Sequence, residues 1–137
     1  MTSYTDLCLI LLTYKSKVLL LQQENVLLSQ RRNPWHSIKK IKEKDTTAER
    51  TIVEEVCKET LIRLDAVTLL SKVLYIDTVH HVFHARLTDT NVNNIGRGEG
   101  QLLQFFELKE LPTLQLQPST KLLFSQNESL INNLSIG

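Results

Sequence analysis

The sequence predicts an α/β fold, a mixed β-sheet covered by helices on both faces, and three observations predict it. The local patterns run strand–strand–helix–strand–strand–strand–helix, an order that suits a sheet layered between helices. At 137 residues, 42% apolar and 23% charged, the chain is long enough for one domain, residues 1–137, with a real core. Four glycines and two cysteines exclude a disulfide scaffold and leave Cys8 and Cys57 as ordinary reduced thiols of a cytoplasmic protein.

Each element has its own signal. Leu7 to Leu12 is continuously apolar, too short for a membrane span of about 20 residues and suited to a buried strand. Tyr14-Lys15-Ser16-Lys17 reads as a hairpin turn and Val18 to Leu21 as a second strand. The apolar pairs Leu20-Leu21 and Leu27-Leu28 keep a helix over 17–32 open. Arg31-Arg32-Asn33-Pro34 reads as a loop, and 38–45 is lysine-rich. From Ala48 to about Leu61 the apolar spacing is helical, with Thr46 or Thr47 as its cap. Val73 to Tyr75 and Val79 to Leu87 read as strands broken at Asp77-Thr78. Residues 88–100 read as a polar loop, Leu102 to Leu108 as a strand and Glu110-Leu111-Pro112 as a turn. A short helix follows from Pro118 to Phe124, and the chain frays from Gln126.

Sixteen Lys and Arg against fifteen Asp and Glu leave a net charge of +1, so no global field selects long nucleic acid or an anionic membrane. The first 95 residues contain no glycine. Walker loops and dinucleotide fingerprints, which need glycine beside the phosphates, are therefore excluded there.

Residues 35–62 resemble the Nudix box of the MutT-like hydrolases. That box reads Gly, five residues, Glu, seven residues, then Arg-Glu-apolar-any-Glu-Glu-any-Gly-apolar. Aligned without gaps, its opening Gly falls on Lys40 and the preceding family Gly on Lys39. Its isolated Glu falls on Thr46, and its closing signature spans Glu54 to Ile62. Glu55 and Glu59 keep two carboxylates, and Val56 and Ile62 keep the apolar anchors. Lys58 stands at a carboxylate position and Leu61 at the glycine. Gly98-Glu99-Gly100-Gln101, Phe105-Phe106, Glu110-Leu111-Pro112 and Pro118 resemble the Glu-Gly-Gln loop and C-terminal tail of the same family. A shifted register, Arg50-Thr51-Ile52-Val53-Glu54-Glu55, keeps the Arg and two carboxylates but displaces Trp35 and the lysine pair.

The resemblance implies a Nudix-like α/β/α sandwich around a mixed sheet. It also implies hydrolysis of a nucleoside triphosphate or a nucleoside diphosphate-linked molecule with Mg²⁺ or Mn²⁺, impaired or altered here. Glu55, Glu59 and Glu99 would hold the metal and one of them would activate water, hard cations preferring oxygen ligands. Glu55 and Glu59, at i and i+4, share a helix face. Lys58 opposes the cation: at roughly 5 Å and a dielectric near 20, each unit of charge is worth about 3 kcal/mol before screening. Glu54 is expected to pair locally with Lys58. Arg31, Arg32, Trp35, Lys39 and Lys40 are the candidate substrate-binding residues, by charge and by stacking on a small-molecule nucleotide. Lysines at the two glycine positions are expected to reshape that loop.

The remaining candidates read as structural. His80, His81 and His84 lie on a strand with no evident carboxylate partner. Cys57 reads as a buried helix thiol. The alternative to hydrolysis is a non-catalytic nucleotide- or protein-binding module. A homodimer also stays open, being common in the family.

Overall fold

Why the longest apolar run becomes the centre of the molecule is visible in its neighbours. The structure, a computed structural model, describes residues 4–23, 33–96 and 101–134. Strand β1 (Thr5–Tyr14) pairs in parallel with β5 (Thr78–Arg86) along one edge. Its other edge meets two strands. Strand β2 (Lys17–Gln23) pairs with it only at Thr13↔Val18 and Tyr14↔Lys17, while β3 (Ile38–Ile41) pairs antiparallel with Leu7 to Ile10. β4 (Thr68–Tyr75) is hydrogen-bonded to β5, and β6 (Gln101–Glu107) to β2, giving the order β4-β5-β1-β2-β6 with β3 beside β1. This mixed sheet has no glycine at its hairpins. Lys15, Ser16, Ile76 and Asp77 take the positive φ values of 48°, 66°, 45° and 59° that the two tight turns demand.

Alternation along β1 feeds two cores. Cys8, Ile10 and Leu12 join Leu19, Leu21, Ile38, Phe83 and Ala85 beneath helix α1 (Ala48–Thr60), which inserts Ile52 and Val56. Leu9 and Leu11 join Val18, Leu20, Val82 and Phe106 on the opposite face, under a 3-10 helix (Leu108–Thr113), α3 (Pro118–Gln126) and α4 (Glu128–Leu134). Each fully buried Leu or Ile contributes about 1.5–3 kcal/mol relative to exposure. None of the described helices is long and apolar enough to cross a membrane.

The α/β expectation stands, with local corrections. Residues 17–23 are strand, which removes the helix alternative there; residues 24–32 lie outside the described residues. The lysine-rich segment contributes β3. β4 begins at Thr68, five residues before Val73, and carries an irregularity between Leu69 and Ser71. The polar loop after β5 holds a short helix, α2 (Asp89–Asn93), closed by a Thr88–Asn91 capping box. The C-terminal stretch expected to fray folds as α4 because Ile131 enters the second core and the buried Asn127 amide donates to the Leu123 carbonyl at 2.9 Å.

Candidate active site on helix α1

Helix α1 begins where Thr47 Oγ1 accepts the Arg50 amide at 3.1 Å. Thr51 and Thr46 lock the preceding turn through a 2.7 Å hydroxyl pair, and the Lys42 ammonium donates to the Glu43 and Thr46 carbonyls. With Ile52, Val56 and Thr60 buried against the sheet, the next stripe of the helix carries Glu55 and Glu59 to the margin of the core. At i and i+4 the two carboxylates lie near enough for the charge of Glu59 to act on Glu55. Burial raises the Glu55 pKa above its ordinary value, the Glu59 carboxylate raises it further, and Lys40 and Lys58 pull it back.

Glu55 lines a pocket of about 240 Å³ together with Lys40, Glu43, Thr46, Glu54 and Lys58. Three acidic and two basic side chains thus face one small volume. Arg50 Nε donates to Glu54 Oε1 at 2.9 Å on the solvent side. The expected Glu54–Lys58 pair is therefore replaced by Arg50–Glu54, also one turn apart, and Lys58 keeps its charge for the pocket.

The two lysines at the glycine positions diverge. Both take extended strand conformations in β3, so they project to opposite sides of the sheet. Lys40 acts on Glu55. Lys39 reaches the N-terminus of α3, donating to Gln117 Oε1 at 2.6 Å and Ser119 Oγ at 3.1 Å. Only one of the pair accompanies the carboxylates. Trp35 is also engaged elsewhere: its ring stands edge-on to Phe106 at 4.8 Å, and its backbone bonds Gln115 and Gln117. Its aromatic signal belongs to the second core.

Leu61, at the box's glycine position, ends α1 with φ 64°, the left-handed cap that glycine ordinarily fills. Gly96 N–H donates to the Thr60 carbonyl at 2.8 Å, so the chain leaving α2 is anchored beside Glu59. Arg31, Arg32 and Glu99 lie outside the described residues. Among the described residues no three His, Cys, Asp or Glu side chains converge on a metal-sized site; the Glu55–Glu59 pair supplies two oxygen donors of the kind a hard divalent cation takes.

Sequence reasoning missed a second acid–base pair. His81 Nε2 and Asp6 Oδ1 lie 2.9 Å apart at the start of β1, and the hydrogen bond from His81 holds the Asp6 carboxyl below its ordinary range. The parallel β1–β5 register, which no local pattern encodes, creates it. His84 sits 2.8 Å from Thr13 Oγ1, and burial lowers its pKa. All three strand histidines are buried. Cys57 is only half-buried.

No protein-family model matches the sequence, and no curated protein matches it. Solved structures do match in shape. A MutT Nudix hydrolase from Burkholderia pseudomallei is 20% identical with a TM-score of 0.70, over 89% of this chain and 96% of that one. The Nudix domain of Shewanella oneidensis NrtR, crystallised with ADP-ribose, is 14% identical with a TM-score of 0.68, over 96% and 90%. A bifunctional NMN adenylyltransferase/ADP-ribose pyrophosphatase from Francisella tularensis, solved with AMP and a Mn ion, is 14% identical with a TM-score of 0.71, over 96% of this chain and 43% of that one. The likeness in shape over nearly the whole chain shows that this chain has the Nudix fold.

Proposed function

We propose that this chain is a divergent Nudix-type pyrophosphohydrolase, slow or altered in turnover. Its substrate is a nucleoside triphosphate or a nucleoside diphosphate-linked molecule, and it uses Mg²⁺ or Mn²⁺. The placement of Glu55 and Glu59 one turn apart on α1, near enough for one charge to act on the other, carries the reading. Two carboxylates one turn apart repel when both are charged, and a cation between them relieves that repulsion. Glu55 and Glu59 are the residues that hold the cation, and Glu99 is the third. A bound cation supplies neutralisation of the phosphate charge. Lys40 adds a second positive charge at the pocket wall and orients the phosphates. One of the glutamates positions and deprotonates the attacking water.

Lys58 favours a second reading, a module that binds phosphate without turnover. Its ammonium faces the same pocket, where it competes with a cation for Glu55 and lends charge to phosphate instead. A hydrolysis screen over nucleotide substrates with Mg²⁺ or Mn²⁺, using Glu59→Gln as control, separates the two. The hydrolase reading expects metal-dependent product that falls at least tenfold in the variant. Nucleotide binding without product supports the module.

A further inference from the structure

On the face of the sheet opposite α1, a cavity of about 490 Å³ opens between the 3-10 helix, α3 and α4, within the size range of small-molecule sites. Leu108, Leu114, Phe124 and Ile131 give it an apolar wall. Ile131 is buried, but Leu108, Leu114 and Phe124 pack on the second core and stay only half-buried. A concave patch of apolar surface is therefore left open to a ligand.

Two charged side chains line the cavity, and they are of opposite sign. Lys121 stands on α3 and Glu128 in the first turn of α4. Both are exposed, and among the described residues no ion pair or hydrogen bond engages either side chain, with the other or with a third. The other lining residues carry no charge. A ligand of one sign meets attraction from one of the pair and repulsion from the other. A ligand carrying both signs on an apolar body answers the wall and both side chains together. The end of a protein chain offers only one of the two charges, so a free small molecule is the better match. In a free amino acid both charges hang on one Cα. A dipeptide sets them roughly 3.5 Å further apart, which suits two side chains on successive helices that do not reach each other.

We propose that this cavity binds a short apolar zwitterion, a dipeptide of large apolar residues. Its carboxylate meets Lys121, its ammonium meets Glu128, and its side chains lie against Leu114, Phe124 and Ile131. Neither Glu55 nor Glu59 lines the cavity, so the site stands apart from the hydrolase reading and needs no metal.

The test is calorimetry and amide NMR on the full chain in EDTA, with leucyl-leucine as the probe. Its N-acetylated form, its C-terminal amide and free leucine serve as comparisons. Saturable binding of the dipeptide is expected, with shifts at Leu114, Phe124 and Ile131, and with leucine weaker. Blocking either end weakens binding about threefold, as the loss of one exposed ion pair would. Lys121→Gln weakens the free dipeptide about threefold and leaves affinity for the amide unchanged, because the amide has no carboxylate to lose. Glu128→Gln does the same to the free dipeptide and leaves the acetylated form unchanged. Glu59→Gln binds as wild type. Absence of saturable binding, leucine binding as tightly as the dipeptide, blocked and free forms of equal affinity, shifts confined to the surroundings of Glu55, or folded Lys121 and Glu128 variants that bind every form as wild type would overturn the proposal.

Discussion

Leu61 lies over the backbone of Gly96, so close that a Cβ added at Gly96 would collide with the Leu61 side chain. The contact joins the end of α1 to the segment leading toward Glu99. Leu61 is 65% exposed and holds a left-handed conformation that costs a non-glycine residue about 1–2 kcal/mol. Leu61→Gly is therefore expected to stabilise the fold by about 1 kcal/mol, seen as a raised denaturation midpoint. Gly96→Ala is expected to cost about 1 kcal/mol in the wild type and nothing in the Leu61→Gly background. Equal costs in both backgrounds would show that the two residues do not interact.

Glu55 makes helix α1 less stable than it need be. Its folded pKa is raised above the ordinary 4.5 by burial and by Glu59. A raised folded value means that the favourable contribution is fully present below the unfolded pKa and is lost as pH rises through the folded pKa. Glu55→Gln is expected to raise neutral-pH stability by about 0.5–1 kcal/mol and to flatten the decline between acidic and neutral pH. An unchanged pH profile in the variant counts against this electrostatic account.

Asp6 has the opposite sign. Its hydrogen bond from His81 depresses the folded pKa below 3.8, so its stabilisation is present above the unfolded value and disappears as pH falls through the folded one. Asp6→Asn is expected to lose about 1 kcal/mol at neutral pH and to converge with wild type in strong acid. Chemical denaturation at a series of pH values reads both.

The thiols are expected to differ sharply in reactivity. Cys8 is fully buried and its pKa is pushed up to about 11 by burial and by Asp6, whereas Cys57 is half-buried. A disulfide reagent should label one thiol in the native chain and two in denaturant, thiolate being the reactive form. Cys57→Ser should abolish the native reaction.

Much of the fold is legible because its signals are local. The run Leu7 to Leu12 and the spacing of Ile52 and Val56 each declare their element and their buried face, and Thr46-Thr47 declares to within one residue where α1 starts. What escaped is what other parts of the chain decide. Ile38–Ile41 becomes a strand because β1 offers it an open edge, against the solvated look of its lysines. The turn at Ile76 and Asp77 carries no turn residue at its first position, so tertiary pairing overrides local preference. At the candidate site, Glu55 and Glu59 follow from helical spacing, but the split of Lys39 and Lys40 to opposite faces follows only once that segment is extended. Trp35 misled because an aromatic beside a loop looks alike whether it stacks on a ligand or on Phe106.

Titration of Mn²⁺ into the full chain, followed calorimetrically, tests the central claim most directly. One saturable site is expected, weakened at least tenfold by Glu59→Gln and by Glu55→Gln with the fold intact. Absence of binding, or affinity indifferent to both substitutions, would contradict the claim that this carboxylate pair is a cation site.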